Sequence, residues 1–417
     1  MRFRFRHSVV VPALGMVLVA GLGSMGIGVG PAFATAGVSA KTITLGLISP
    51  ETGTAAPEYT GIVPSAKARI AYQNAHGGVD GRKIKLIIKD DATNPSTNQS
   101  ATAALISEGV FGIIDESPVA FGGYKIAQQA GIPVTGGAYD GPEWWEKPNT
   151  NMFSISGQAD PKDPQYDGLA KFAKAHGGTA CGSVGYSISP SSTASASGFN
   201  FSCQAVGMRK AYLNNTLPFG SVAVTPLALS IKAAGVNTMW LPLDENTNFA
   251  IMTALKQAGV NLKVTLNATG YGQSLITDTA AVPDAQGAWF LATGAPVELH
   301  TKATEAFQAA LARYAHYTGV PDFSWYEGWG GADLMIYGLK LAGKNPTQSK
   351  FINALHKVTN YTMGGLEPNK ANFELSVWGK APKTLCEWLV QFKGDSFVHP
   401  TEVCGKLLPG SDQLPSA

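Results

Sequence analysis

The fold is decided by the stretch Asn74–Pro95, which reads NAHGGVDGRKIKLIIKDDATNP. Just before it, apolar residues at helical spacing over Ile62–Ala75 predict a helix, and the glycines of the stretch allow a tight reversal after that helix. The apolar run Lys83–Lys89 then predicts a strand. A helix, a turn and a strand in this order form the repeating unit of α/β folds.

Two adjacent aspartates, Asp90 and Asp91, end this predicted strand. Paired carboxylates suit hard cations, but the spacing of a calcium-binding EF-hand loop is absent. Aspartates between a strand and a helix commonly act as caps, and Asn94 followed by Pro95 is typical of a helix start. We therefore expect these residues to have a structural role and predict no metal site.

Strands and helices continue to alternate along the chain in two series. The first series runs from a strand at Lys41–Ser49 to a strand at Ile132–Thr135. The second runs from a helix at Gly168–Ala175 to a strand at Lys263–Ala268, and two long helices follow. This alternation predicts an α/β fold with two lobes, each a mainly parallel sheet flanked by helices.

The first 34 residues have the pattern of a signal peptide. The basic segment MRFRFRH precedes an apolar run, which ends in small residues at cleavage spacing, in Ala32-Phe33-Ala34 or Ala34-Thr35-Ala36. The apolar run approaches the length of a membrane anchor, so an uncleaved anchor is the alternative. No cysteine lies near the cleavage site, so we expect an exported protein without a lipid anchor there.

The charge balance argues against some classes of partner. The chain has 31 basic and 29 acidic residues, and without the three arginines of the signal the net charge is −1. A near-neutral chain gives no electrostatic basis for binding nucleic acid or an acidic membrane surface. We therefore predict no nucleic-acid partner.

The four cysteines, Cys181, Cys203, Cys386 and Cys404, predict two disulfides. An even number of cysteines in an exported chain favours disulfides, and the absence of C-x-x-C spacing argues against zinc or redox chemistry. Three pairings are possible. Short loops favour Cys181 with Cys203 and Cys386 with Cys404.

Motifs of catalysis are absent from the chain that follows the signal. The fingerprint G-x-G-x-x-G occurs at Gly21–Gly26, but inside the signal peptide and without a strand before it. There is no phosphate-binding GxxxxGK[ST], no HExxH and no GxSxG. We therefore expect no enzymatic activity and no cofactor.

Ligands of open α/β sheets bind in the loops that follow the carboxyl ends of strands. These loops hold hydroxyls, carboxylates, glycine N–H groups and aromatic rings, which suit a small polar or aromatic ligand. The predicted loops are Ser49–Tyr59, Asp115–Phe121, Gly136–Trp145, Ser187–Ser192, Asp244–Asn246 and Thr269–Gly272.

Several segments together resemble the leucine/isoleucine/valine-binding family of periplasmic solute-binding proteins, which serve ABC importers. The segments are TLGLISPETG, NAHGGVDGRKIKLIIKDDATNP, VFGIIDESP, AGIPVTGGAYDGPEWW and IMTALKQAGVNLKV. The resemblance implies a type I clamp of two lobes that closes around its ligand. It implies a first lobe of residues 37–154 and 296–362, a second of 155–290 and 368–417, and crossings near 151–157, 291–296 and 363–368.

The resemblance also implies a ligand site between the lobes. Family members hold an amino acid's carboxylate at positions that match Glu116 or Ser117, Gly137 and Tyr139, where tyrosine replaces the family's threonine. The place of the acid that pairs with the ligand's ammonium matches Gly270 or Tyr271, where no acid stands, which favours a flatter or more apolar ligand; with the register shifted by one or two residues, Glu116, Asp244 or Glu245 could supply that charge. The predicted ligand-binding residues are Thr52, Glu58, Tyr59, Glu116, Ser117, Gly137, Ala138, Tyr139, Ser191, Asn246 and Tyr271.

These features predict a monomeric, non-catalytic receptor that delivers a small ligand to ABC permease subunits. The ligand classes considered are an amino acid, an amide and a small aromatic or apolar carboxylate. Two alternatives stay open at this point. One is a sensor that presents the same clamp to a signalling partner, and the other is a secreted enzyme that uses the cleft between the lobes.

The cleavage motif gives the first testable prediction. The mature protein is expected to start at Thr35 or Gly37, because signal peptidase cleaves after small residues at this spacing. N-terminal sequencing of exported material checks this prediction. A sequence that still begins at Met1 would contradict it.

Overall fold

The structure is a computed structural model that describes residues 35–137, 141–156 and 165–411. The signal segment with Gly21–Gly26, and the predicted ligand residues Ala138 and Tyr139, lie outside the described residues. The described chain forms two sheets with helices packed against them. This arrangement confirms the predicted α/β fold.

The first sheet has five strands, all parallel, in the order β2-β1-β3-β4-β5. Successive strand residues point to opposite faces of the sheet, and Leu47 and Ile48 of the first strand, both fully buried, pack into the helix layers on its two sides. The elements are β1 (Thr42–Ser49), α1 (Ile62–Ala75), β2 (Lys83–Asp90), α2 (Pro95–Ser107), β3 (Ile113–Asp115), α3 (Tyr124–Gln129), β4 (Val134–Gly136) and β5 (Met152–Ser154).

The stretch that follows α1 folds as its sequence predicts. Asn94 caps α2, because its side chain accepts hydrogen bonds from Ser96 N at 2.9 Å and Thr97 N at 3.2 Å. The Asp90 carboxylate accepts hydrogen bonds from Ala92 N at 2.8 Å and from Thr52. The carboxylate of Asp91 accepts from Thr93 N at 3.0 Å. The structural role of these residues is confirmed.

The second sheet has seven strands in the order β12-β11-β10-β9-β8-β6-β7. Strands β6 to β10 are parallel, whereas the last two run antiparallel and form a hairpin at one edge. The elements are α4 (Gly168–Ala175), β6 (Ala180–Tyr186), α5 (Pro190–Ala205), β7 (Arg209–Leu217), α6 (Thr225–Ala233), β8 (Thr238–Leu241), α7 (Glu245–Gln257), β9 (Val264–Asn267), α8 (Gln273–Thr277), β10 (Trp289–Ala292), β11 (Thr384–Lys393) and β12 (Ser396–Lys406).

Three further helices, α9 (Lys302–Tyr314), α10 (Phe323–Ala342) and α11 (Gln348–Leu355), lie between β10 and β11 in the chain. Helix α10 packs against α1 and against β3 and β4, so it completes the first sheet's helix layer. An ion pair between Arg69 Nε and Asp333 Oδ1 at 2.8 Å joins α1 to α10. The lobe boundaries and the three crossings stay predictions.

Short 3-10 helices occupy several of the loops. They are Ala56–Glu58, Ala120–Gly122, Pro142–Trp144, Val297–Leu299 and Met363–Gly365. Among the helices of residues 35–137, 141–156 and 165–411, none is long and apolar enough to span a membrane.

Two disulfides stabilise the second sheet. Cys181 of β6 is bonded to Cys203 of α5, and Cys386 of β11 is bonded to Cys404, the residue directly opposite it on β12. This is the pairing that the short loops favour. The first bond joins the sheet to a covering helix, and the second joins the two strands of the edge hairpin.

The first disulfide gives a test of stability. Replacing both Cys181 and Cys203 by alanine frees a loop with a sequence separation of 22 residues in the unfolded chain. We expect this change to lower the free energy of unfolding by about 3 kcal/mol, plus a packing loss because both side chains are fully buried. Chemical denaturation measures it.

The matched control is the double alanine variant of Cys386 and Cys404, a partly exposed pair with a separation of 18 residues. Freeing this loop in the unfolded chain should cost nearly the same stability. The two variants should therefore differ mainly by the packing that is lost at the buried Cys181 and Cys203. Equal losses in both variants would contradict the packing contribution.

Candidate functional site

A cavity of ≈ 410 Å³ lies where loops of the two sheets meet. The first sheet contributes the loop after β1, and the second contributes the loop after β7, the start of α7 and the residue after α8. This volume falls in the range of small-molecule sites, and the position at the carboxyl ends of parallel strands is the expected one. The lining residues are Thr54, Pro57, Glu58, Phe219, Gly220, Val222, Asp244, Asn246, Phe249 and Asp278.

Glu58 connects the two sides of this cavity. Its Oε1 atom accepts a hydrogen bond from Glu245 N at 3.0 Å, so the loop after β1 contacts the first turn of α7. Asp244 caps the same helix by accepting a hydrogen bond from Thr247 N at 3.0 Å. The hydroxyl of Tyr186, at the end of β6, donates to Asp244 Oδ2. The backbone N–H groups at this helix start therefore hold acidic side chains from both sheets.

Acidic groups dominate the electrostatics of the cavity. Burial, followed by the nearby Asp244 carboxylate, raises the pKa of Glu58 from 4.5 to about 8. Burial also raises the pKa of Glu245, although Ser274 Oγ donates a hydrogen bond to its Oε2 atom at 2.8 Å. Among the described residues that line the cavity none is basic. The site therefore suits a group that carries positive charge or donates hydrogen bonds.

Of the predicted ligand-binding residues, Glu58 and Asn246 line this cavity. The hydroxyl of Thr52 instead donates to Asp90 Oδ2 at 2.6 Å, and Tyr59 is buried against the ring of Phe323 at 5.3 Å. Ser191 lines a different and smaller cavity.

Three other predicted residues meet at the carboxyl ends of β3 and β4. Gly137 N donates a hydrogen bond to Glu116 Oε2 at 2.8 Å, and the Ser117 hydroxyl accepts one from Val119 N at 3.1 Å. Glu116 is fully buried, next to Gly331 of α10. The structure thus brings these residues together, but away from the lining of the cavity. Their role in ligand binding stays a prediction.

Tyr271 packs against β12 and the 3-10 helix after β10 and does not line the cavity. Its side chain is 2% exposed, and its ring lies 4.7 Å from that of Phe397. The hydroxyl donates to Glu298 Oε2 at 2.7 Å and accepts from Val297 N at 3.1 Å. An alanine at position 271 would therefore destabilise the fold, and a role in ligand binding stays a prediction.

The sequence prediction missed several cavity residues. Phe219 and Val222 follow β7, and Asp278 follows the short helix α8, whereas none of the predicted ligand loops contains these three residues. One pattern in the sequence could have identified the loop after β7. Phe219, an apolar residue, stands beside the turn-forming Gly220, shortly after the polar run Asn214-Asn215-Thr216.

The raised pKa of Glu58 predicts a pH effect on stability. Because the folded-state pKa lies above the ordinary value of 4.5, the folded form binds more protons between about pH 4.5 and pH 8, and stability falls as pH rises through this window. Replacing Glu58 by glutamine keeps the acceptor for Glu245 N and removes this titration.

We expect the melting temperature of the wild type to fall between pH 5 and pH 8 by about 2 °C or more beyond that of Glu58→Gln. Differential scanning calorimetry measures both. The control is Glu51→Gln, an exposed glutamate in the same loop, which should follow the wild type. Parallel pH profiles for the wild type and Glu58→Gln would show that Glu58 titrates normally.

Solved structures of solute-binding proteins share this fold. A branched-chain amino acid ABC transporter protein from Thermus thermophilus with bound valine matches with a TM-score of 0.73 at 15% identity, covering 90% of this chain and 98% of that one. A fatty acid ABC transporter substrate-binding protein from Thermomonospora curvata matches with a TM-score of 0.72 at 17% identity, covering 92% and 96%.

A third structure, a solute-binding protein of an ABC transporter from R. palustris in complex with benzoate, matches with a TM-score of 0.69 at 20% identity, covering 88% of this chain and 97% of that one. Curated protein sequences gave no significant match. The family model described as periplasmic binding protein matches residues 42–375, which is most of the sequence. The chain therefore belongs to the periplasmic binding protein family.

Proposed function

We propose that the protein is an extracytoplasmic, non-catalytic receptor that binds a small solute and delivers it to the permease of an ABC importer. Family membership and similarity to substrate-binding proteins of ABC transporters support this role. The observation that carries the proposal is the ≈ 410 Å³ cavity, whose walls come from both sheets. A ligand held there contacts both lobes at once.

The geometry of Glu58 suggests how binding is coupled to closure. A ligand shifts the equilibrium between the open and closed arrangements of the lobes toward the one in which it makes more contacts. Here only the closed arrangement brings both walls of the cavity against the ligand. The hydrogen bond from Glu245 N to Glu58 Oε1 crosses between the same two walls. The permease would then recognise the two lobes in this arrangement.

The lining of the cavity favours some ligand classes over others. Glu58, Asp244 and Asp278 supply carboxyl groups, and Phe219 and Phe249 supply flat apolar surface. A ligand with only a carboxylate would meet like charge, whereas an ammonium or amide N–H group would find acceptors. Among the three predicted classes, an amino acid or an amide fits this cavity better than a small aromatic or apolar carboxylate.

Asn246 provides a test of the ligand site. Its side chain is exposed at the cavity and makes no hydrogen bond to any group in the described part of the chain, so its amide is available to a ligand. Native mass spectrometry of the purified protein should identify a bound small molecule. Calorimetry with that molecule should show binding weakened by about 1 to 2 kcal/mol, or five- to thirtyfold, in Asn246→Ala.

The matched control is Asn345→Ala, an exposed asparagine in the loop between α10 and α11. It should leave both affinity and stability unchanged. Equal affinity in the wild type and Asn246→Ala would place the ligand elsewhere, and turnover of the bound compound would contradict a non-catalytic receptor.

A further inference from the structure

A second cavity, of ≈ 190 Å³, lies entirely within the second lobe. Its walls come from the segment that leads into α4, from one face of α5, and from strands β8 and β11. None of its lining residues also lines the cavity between the sheets. The two cavities are therefore separate.

The unusual group in this second cavity is the carboxyl group of Glu387. No hydrogen bond or ion pair joins it to any group within residues 35–137, 141–156 and 165–411, although the side chain is partly buried. Burial raises its pKa from 4.5 to about 7. An acidic group kept in a cavity without a partner costs stability, and such groups are characteristic of binding sites.

Aromatic and aliphatic side chains surround this carboxyl group. The rings of Phe199 and Trp240 lie 6.1 Å apart, and Leu169 and Leu385 complete the apolar wall. The indole N–H of Trp240 donates to Ser195 Oγ at 2.9 Å, so the ring has a fixed orientation and its own polar atom is satisfied. The π face of an indole attracts cations.

The rim of the cavity is held in place by hydrogen bonds. Tyr166 Oη donates to Pro382 O at 2.8 Å, and Lys406 N donates to Asp167 Oδ1 at 2.9 Å. Next to Glu387, Cys386 exchanges two backbone hydrogen bonds with the side chain of Asn369, at 2.8 and 2.9 Å. A wall that is fixed before binding loses little entropy when a ligand enters.

We propose that this second cavity binds a small organic ammonium compound, with the ammonium group paired to the Glu387 carboxylate and an apolar body of about one ring packed against Trp240 and Phe199. The volume supports the size limit, since an apolar cavity of about 150 Å³ holds benzene. The combination of one carboxylate with aromatic walls selects a cation that also has apolar surface.

Benzylammonium is a suitable probe, with benzyl alcohol as its neutral counterpart and benzoate as its anionic one. Nuclear magnetic resonance of the full mature chain would follow the indole N–H of Trp240, assigned with the variant Trp240→Phe. Benzylammonium should shift this resonance and bind at least tenfold more tightly than either counterpart. Its affinity should rise about tenfold between pH 6 and pH 8, as a carboxyl group with a pKa of about 7 ionises.

The variant Glu387→Gln should lose at least tenfold in affinity for benzylammonium, while Glu402→Gln, on the neighbouring strand and exposed, should not. Binding that is lost in Glu58→Gln rather than in Glu387→Gln would assign the probe to the cavity between the sheets and overturn the proposal. Equal binding of benzyl alcohol, or no shift of the Trp240 resonance, would also overturn it. These two measurements use the wild type, so they decide the question even if Glu387→Gln fails to fold.

Discussion

The close packing of α10 against α1 and the first sheet determines where the rest of the structure can lie. Gly328 and Gly331 face these neighbours, and a methyl group there would overlap the carbonyl oxygen of Ile62 and the Oε1 atom of Glu116. Glycine inside a helix lowers helix stability by about 1 kcal/mol relative to alanine. The close approach of α10 to its neighbours at Gly328 and Gly331 therefore reduces the stability of the helix itself. As a result Glu116 is fully buried beneath the helix.

Sequence reasoning predicted the parallel parts of both sheets, because strands and helices alternate there with distinct hydrophobic periodicities and several of the helices have a side-chain cap. Asn94 before Pro95 is an example, since the contacts that stop β2 and start α2 lie within a few residues of each other. Of the two long predicted helices, α10 begins at Phe323 because Asp322 caps it there. The hairpin of β11 and β12 was missed although Gly394-Asp395 is a two-residue turn signal, since the alternating pattern favoured parallel strands.

The site was harder to predict, because position in a loop does not tell which way a side chain points. Thr52, Tyr59 and Tyr271 have the hydroxyl groups and rings that a ligand site needs, but the fold uses those of Thr52 and Tyr271 for Asp90 and Glu298, and packs Tyr59 on Phe323. Glu58, at the end of the 3-10 helix after β1, and Asn246, in the first turn of α7, line the cavity, and their role as ligand residues stays a prediction. Partners more than 25 residues away in sequence decide these outcomes, and no local pattern records them.

The carboxyl groups at the cavity between the sheets destabilise the folded protein, and a ligand can remove this destabilisation. Burial raises the pKa values of Glu58, Glu245 and Asp322, so the folded form keeps protons that the unfolded form releases above the ordinary carboxyl pKa. Local conflicts of this kind persist in folded proteins mainly at functional sites. A ligand ammonium group beside Glu58 would favour its ionised form and lower its pKa, so binding and proton release would be linked. The proposed ligand thus supplies the positive charge that the described lining of the cavity does not contain. The excess of acidic groups that destabilises the unliganded fold therefore stabilises the complex.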